Sequence, residues 1–237
     1  MYYYYPMYFD PTYLLVMIGV AICLIASARV TSTFRRYSGF RNSRNMTGAE
    51  AAERVLHSAG IYDVRIEHVR GSLTDHYDPR SKVLRLSDDT YGSTSVAAVG
   101  VAAHECGHAI QHARSYAPLR FRSALVPVAN FGSTIAWPLI LIGLFLRGDS
   151  SALLINIGIL AFSLAVLFQL VTLPVEFNAS GRAIRILADT GMMQGEEIKA
   201  AKKVLRAAAL TYVASAASAI LQLLRIILLT GGRRRND

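Results

Sequence analysis

The sequence predicts a mainly α-helical membrane protein, with three to four transmembrane helices and a small cytoplasmic domain of mixed α and β structure. Hydrophobic residues make up 53% of the chain. Charged residues, at 17%, fall below the roughly 25% that is usual in soluble domains. The apolar residues are gathered into long runs, and basic residues flank these runs, as is typical of helices that cross a bilayer.

The net charge of +9 predicts contact with the anionic headgroups of a lipid bilayer and not with nucleic acid. The basic residues lie beside apolar runs, and the sequence has no nucleic-acid recognition motif. Of the two cysteines, Cys23 lies in an apolar run and Cys106 in a histidine-containing helix, which does not suggest a disulfide. The chain is therefore compatible with a reducing compartment. Cys106 is expected to be a small packing residue.

Residues 1–28 are predicted to anchor the chain in the plasma membrane. A tyrosine-rich start, residues 1–11, precedes an apolar span over residues 12–28. The sequence Ala26-Ser27-Ala28 resembles a signal-peptide cleavage site, but the positive charges follow the span and do not precede it. We therefore favour an uncleaved anchor, with its N-terminus outside and the next segment in the cytoplasm.

Residues 29–124 form the main polar segment. Thr47 and Glu50 make a capping-box pattern that opens a short amphipathic helix, which Gly60 ends. Strands are predicted over residues 61–66 and 82–87, where an exposed edge could hold an extended peptide. A helix rich in alanine and valine follows over the sequence that runs from Thr94 to Tyr116.

That helix contains the motif His104-Glu105-Cys-Gly-His108. Residues four apart share a helical face, so His104 and His108 can bind one zinc ion, while Glu105 lies about 100° round the helix. A glutamate in this position suits a base that takes the proton of a zinc-activated water. His112 would lie roughly 12 Å along the axis from His104, too far for the same ion. A di-iron site is disfavoured because the Glu-x-x-His pattern has no second copy.

Residues 125–175 are predicted to form a transmembrane helical hairpin from two apolar runs, 125–146 and 152–175. Pro127 and Pro138 are compatible with a span, because neighbouring helices can satisfy the carbonyls that a proline frees. Basic residues before and after the hairpin place both of its ends on the cytoplasmic side.

A zinc ion that activates a water needs a third protein ligand, and Glu176 is the best candidate. It follows the hairpin at once, where it is predicted to begin a new cytoplasmic helix over residues 176–206. Because the two spans are antiparallel neighbours, this residue can return to the histidine helix.

Residues 207–237 are predicted to be an apolar helix with a polar stripe and a basic tail. Two interpretations stay open: a core helix packed on the cytoplasmic domain, which we favour slightly, or a fourth span. A fourth span would place the tail, residues 233–235, outside, against the charge rule. Arg225 is a candidate to stabilise an oxyanion or bind a substrate carboxylate, although a snorkelling arginine is the commoner case. The stripe consists of Thr211, Ser215, Ser218, Gln222 and Arg225.

Two stretches together resemble the YugP-like family of neutral zinc metallopeptidases, which are bacterial integral membrane proteins. They are AAHECGHAIQ, residues 102–111, and LPVEFNAS, residues 173–180. The similarity extends over nearly the whole chain, including its tyrosine-rich start. More distantly, the chain is similar to the HtpX-type and CAAX prenyl membrane proteases.

The resemblance implies a zincin-like, gluzincin-like catalytic domain that holds one zinc ion per chain. It implies that His104, His108 and Glu176 are the zinc ligands and that Glu105 is the catalytic base. The distant relatives carry an aspartate where this chain has Ser180. Ser180 and, elsewhere, Asn178 are candidate supporting residues for the ligands.

Two functions from different classes are compatible with these residues. The first is a membrane-embedded zinc endopeptidase that hydrolyses membrane or membrane-proximal polypeptides. In a related possibility, the site stays latent until a partner membrane protein delivers the substrate. The second is a non-catalytic membrane scaffold or adaptor that retains a structural metal site. Cobalt or manganese can occupy similar nitrogen and oxygen ligands.

Overall fold

Four long helices and a small mixed domain make up the protein, as seen in a computed structural model that describes residues 10–146 and 148–231. Most of the tyrosine-rich start and the basic tail at 233–235 lie outside the described residues. The elements are α1 (Tyr13–Ser38), α2 (Gly48–Ser58), β1 (Arg65–His68), β2 (His76–Asp78), β3 (Val83–Leu86), α3 (Val96–Ala113), α4 (Ala117–Phe145), α5 (Asp149–Asp189) and α6 (Glu196–Gly231).

Four helices, α1, α4, α5 and α6, are long and apolar enough to cross a membrane, judged by length and composition. They pack as two antiparallel pairs. In the α4–α5 hairpin the backbones meet at Gly132, where a Cβ would lie 2.6 Å from the carbonyl oxygen of Ala161. In the α1–α6 pair, a Cβ on Gly19 would lie 2.8 Å from Ser218 Oγ. Glycine at these positions lets the helix axes approach closely.

The helices are longer than the sequence predicted. The prediction of a new helix at Glu176 is wrong, because α5 runs unbroken from Asp149 to Asp189 with Pro174 inside it. Likewise α6 crosses the predicted boundary at residue 207 as one helix of 36 residues. It therefore counts as a fourth candidate span, which revises our slight preference for three. Hydropathy shows where the apolar surface ends, whereas the backbone hydrogen bonds of a helix continue into its polar part.

The mixed domain contains a three-stranded sheet in the order β1-β3-β2. The central strand β3 pairs in parallel with β1 and antiparallel with β2. It lies within the predicted strand at 82–87, whereas β1 lies at 65–68 and not at 61–66 as predicted. The sequence did not predict β2, which has only three residues. The sheet order leaves β2 at an edge.

The capping box that opens α2 is confirmed. The side chain of Thr47 accepts a hydrogen bond from Glu50 N at 3.2 Å, and Glu50 Oε2 accepts one from Thr47 N at 2.9 Å. The apolar face of α2 packs with β3, α3 and the polar half of α5 in one core. The members that fix α3 in this core include Leu56, Leu84, Val99, Ile110 and Leu187.

Candidate metal centre

Helix α3 positions the two histidines of the motif against α5. Its first turn is capped by Ser95, whose hydroxyl accepts a hydrogen bond from Ala98 N at 3.1 Å. Further along, the backbones of α3 and α5 come close at Gly107, where a Cβ would lie only 2.5 Å from the carbonyl oxygen of Ala179. The rings of His104 and His108, on the same helix, have centroids 4.8 Å apart. The glycine therefore lets α5 reach the histidines.

The structure brings Glu176 to these histidines. Its side chain is 3% exposed, and Oε2 lies 3.3 Å from His104 Nε2 and 3.5 Å from His108 Nε2. The three candidate ligand atoms lie within 4.8 Å of one another. The residues that sequence spacing and resemblance had selected thus form one cluster, although 68 positions separate His108 from Glu176.

The hydrogen bonds of Gln111 fix the orientation of His108. Gln111 Nε2 donates to the carbonyl oxygen of Val175 at 2.8 Å and to Asn178 Oδ1 at 3.0 Å. A carbonyl can only accept, so the amide nitrogen must face Val175 and the amide oxygen must face His108. His108 Nδ1 lies 3.1 Å from that oxygen and therefore carries a proton. In the neutral imidazole, the lone pair of Nε2 then points towards Glu176.

His104 has a separate support. Its Nδ1 lies 3.0 Å from Ser180 Oγ, one helical turn after Glu176 on α5. The two candidate supporting residues thus act differently, because Ser180 contacts a histidine directly and Asn178 does so through Gln111. Asn178 Oδ1 also accepts a hydrogen bond from Arg182 Nε at 2.7 Å. Such partners orient imidazoles and raise their basicity as ligands.

The cluster fits a divalent cation. Glu176 Oε2 is buried and has no hydrogen-bond partner among the described residues, although two imidazole nitrogens face it. Burial lowers the pKa of His108, but the carboxylates of Glu176 and Glu105 outweigh it and raise that pKa above its ordinary value. The negative potential that favours a proton on His108 equally favours a metal ion. Two imidazoles and one carboxylate are a ligand set typical of zinc sites with one open position.

Glu105 faces open space beside the cluster. It lines a cleft of about 710 Å³ between β2, α3 and the start of α4, and a smaller cavity of about 200 Å³ that contacts α1 and α6. Glu176 and Tyr212 line both cavities too. Tyr212 was not among the predicted site residues. The sequence did contain one indication that Tyr212 is a site residue. It is the only tyrosine after residue 116, and it directly follows Thr211 of the polar stripe.

Two other residues of α3 behave as expected. His112 does not join the metal-ligand cluster, and its Nδ1 instead lies 2.9 Å from the hydroxyl of Tyr77 on β2. Cys106 is fully buried, with its Sγ 3.5 Å from the carbonyl oxygen of Ala52. Burial raises the pKa of this thiol well above its usual value, so it is an inert packing residue.

The structure does not bring Arg225 to the site. Its guanidinium lies 4.3 Å from the centre of the Tyr13 ring, and Nη2 lies 3.9 Å from Asp10 Oδ2. It follows Tyr212 by 13 positions, which is roughly 20 Å along a helix. The polar stripe of α6 continues past the site and faces α1, as Ser218 opposite Gly19 shows. Periodicity identified the stripe but not its partner.

Two histidines from α3 and one buried glutamate from the membrane-length helix α5, grouped beside an open cleft, define a membrane protein with a candidate metal site. The family model described as "Putative neutral zinc metallopeptidase" matches residues 12–231, and the chain belongs to this family. The chain is 47% identical over 223 residues to a protein of Bacillus subtilis (strain 168) named "Putative membrane protease YugP". The match covers 94% of this chain and 98% of that protein. No solved structure matches the chain.

Proposed function

We propose that this protein is a membrane-embedded zinc endopeptidase. The observation that carries the proposal is the position of Glu105, which lines an open cleft together with the metal-ligand candidates His108 and Glu176. Three protein ligands beside an accessible cleft are typical of a catalytic zinc site, whereas structural zinc sites are closed by four protein ligands. This arrangement supports a peptidase over the alternative of a scaffold with a structural metal.

The reaction proposed is metal-assisted hydrolysis of a peptide bond, with one zinc ion per chain bound by His104, His108 and Glu176. When bound, zinc lowers the pKa of a coordinated water towards 7 and polarises the scissile carbonyl. Glu105 accepts the proton of the attacking water on its carboxylate and then delivers it to the leaving nitrogen. Ser180 and Gln111 hold the two imidazoles in place throughout, because each contacts an Nδ1 atom.

We assign Tyr212, in place of Arg225, the role of hydrogen-bond donor to the developing oxyanion. Its phenol is the polar group that α6 contributes to the larger cleft, where it lies with Glu105 and Glu176. A donor aimed at this position stabilises the charge that forms on the carbonyl oxygen as water attacks.

The edge strand β2 supports binding of an extended polypeptide. His76 and Tyr77 line the larger cleft together with Glu105 and His108. Because β2 pairs with β3 on one side and lies at an edge of the sheet, an added strand can pair with its other side. We therefore propose that the substrate chain lies along β2 with its scissile bond towards the metal.

The proposed topology is multi-pass in the plasma membrane, with the active site facing the cytoplasm. In this arrangement residues 29–124 and 176–206 supply a zincin-like catalytic domain, and residues 125–175 form a membrane hairpin. The arginines after the first apolar run support the orientation. The small size of the domain supports a further role for a partner membrane protein in delivering substrate.

The test compares Glu105→Gln with Glu53→Gln, an exposed glutamate of α2, both as full-length protein in proteoliposomes. We expect both variants to retain about one zinc per chain. Glu105→Gln should cleave an unfolded fluorescent protein substrate 10²–10⁴-fold more slowly than Glu53→Gln, the usual range for loss of general acid–base catalysis. Equal cleavage by the two variants would refute the peptidase mechanism, and zinc binding without any cleavage by the unaltered protein would favour the scaffold.

A further inference from the structure

A further cavity, of about 720 Å³, is lined by α1, α5 and α6 and by none of the candidate metal ligands. We call it the basic groove. Four cations line it: Arg29 and Arg36 from α1, and Lys203 and Arg206 from α6. Nothing in the proposed hydrolysis uses these residues. Their spacing follows from the antiparallel pairing of α1 with α6, which brings the polar ends of both helices together.

The cations of the basic groove are not held in close ion pairs within the part of the chain that the structure describes, although Lys203 acts at longer range on Glu196. The residues that line the groove include no carboxylate, and none of the four forms an ion pair within 4.0 Å among the described residues. Other cations of the domain do have such partners, as Lys82 has with Asp63 and Lys199 with Glu196. Four like charges around one cavity repel each other, and an anion bound between them removes that cost.

The groove also provides hydrogen-bond donors and apolar walls. Thr33 and Tyr37 line its α1 side with hydroxyl-bearing side chains, whereas the Ser32 hydroxyl there already donates to the Arg29 carbonyl oxygen at 3.1 Å. Phe177 of α5 and Leu210 of α6 line it too, with 51% and 40% of their surface exposed. Cations, hydroxyls and exposed apolar surface in one cavity match a ligand that has an anionic head and a hydrocarbon chain.

The position of the groove along the helices indicates that such a ligand comes from the membrane. Arg29 directly follows the apolar run at 12–28, and Arg206 directly precedes the apolar run that begins at 207. On both helices the cations therefore lie where the apolar surface ends, at the depth of lipid headgroups if α1 and α6 cross the bilayer. We propose that the basic groove binds the phosphate of an anionic phospholipid from the surrounding membrane.

The test uses full-length protein in a neutral detergent, titrated with phosphatidylglycerol and followed by native mass spectrometry. The variant Arg36→Gln/Lys203→Gln removes two charges from the groove. Its matched control, Arg35→Gln/Lys202→Gln, removes the same two charges one position away on the same helices, from residues that do not line the groove. We expect lipid binding to weaken roughly 30-fold in the first variant, equivalent to about 2 kcal/mol for two basic residues. The control should bind like the unaltered protein.

Three results would overturn the proposal. Equal weakening in both double variants would mean that total charge, and not the groove, attracts the lipid. Equal binding of phosphatidylcholine would mean that only the apolar walls matter, and equal binding of glycerol phosphate would mean a site for a free phosphate. Circular dichroism and zinc content serve as checks on folding, and the single variant Lys203→Gln, with Lys202→Gln as its control, replaces the pair if the double variant is unstable.

Discussion

Replacing Gly107 by alanine should separate α3 and α5, the two helices that hold the candidate metal ligands. The added Cβ would lie 2.5 Å from the carbonyl oxygen of Ala179 and 3.0 Å from its Cα, so it meets backbone that cannot rotate away. Because attractive contacts between heavy atoms need about 3.5 Å or more, the backbones of α3 and α5 must move apart by roughly 1 Å at this contact. Zinc ligand distances tolerate only about 0.2 Å, so we expect zinc affinity to fall at least ~10-fold.

Gly100→Ala on the same helix provides the control. There the added Cβ would lie 3.4 Å from Ala201 Cβ, an ordinary contact. Alanine is favoured over glycine inside a helix by about 1 kcal/mol, so this variant should be slightly more stable than the unaltered protein. Gly107→Ala gains the same propensity but bears an overpacking cost of about 1–3 kcal/mol. We therefore expect the two variants to differ by roughly 1–3 kcal/mol.

Zinc affinity and stability can both be measured in detergent. Competition for zinc with a chromophoric chelator gives the affinity, and thermal unfolding of the metal-free protein gives the stability. Measuring stability without metal separates the packing cost from the contribution of bound zinc. If Gly107→Ala bound zinc as tightly as Gly100→Ala and matched its stability, the close approach of α3 and α5 would not position the ligands, and our account of the centre would be wrong.

Two further substitutions test how the site is oriented and what it stabilises. Gln111→Leu removes the acceptor of the His108 Nδ1 proton and leaves the Val175 carbonyl without its donor, so zinc affinity should fall roughly 10–100-fold while His104 keeps its own support from Ser180. Chelator competition measures this, and an unchanged affinity would contradict the assigned tautomer. Tyr212→Phe should keep its zinc and lose roughly 10²–10³-fold in kcat with little change in KM, as for other lost oxyanion donors. A steady-state cleavage assay measures kcat and KM separately, and a change confined to KM would mean that Tyr212 only binds substrate.

The parts of the site that lie within one helix could be predicted from the sequence, because helical geometry relates neighbouring positions directly. The spacing of His104 and His108 was enough to place both rings on one face, and it also excluded His112. Glu176 required more, namely the argument that an antiparallel hairpin returns the chain to its starting side. Its role as third ligand, which its position after the hairpin suggests and the resemblance implies, stays a prediction, while the structure brings its carboxylate to both imidazoles.

What the sequence did not predict depends on contacts between distant helices. Tyr212 carries no local motif and reaches the cavities only because α6 packs against α5 and α1. The same packing keeps Arg225 away from the candidate site, because its partners are Asp10 and Tyr13 at the start of α1. A polar stripe shows that one face of a helix meets something polar, but a single sequence does not identify the residues that this face contacts.

The continuity of α5 and α6 has a consequence for how the centre is held. The histidines belong to α3, which the core of the mixed domain surrounds, whereas Glu176 and Tyr212 belong to helices that continue without a break into the apolar part of the molecule. The candidate metal centre therefore joins these two parts of the molecule, whose backbones approach closely where Gly107 faces Ala179. Because Glu176 lies on the same continuous helix that packs against α4 and α6, we expect a shift of α5 against these helices to change the distance from Glu176 to both imidazoles. The geometry of the centre thus depends on how the long helices pack as well as on the domain that contains the motif.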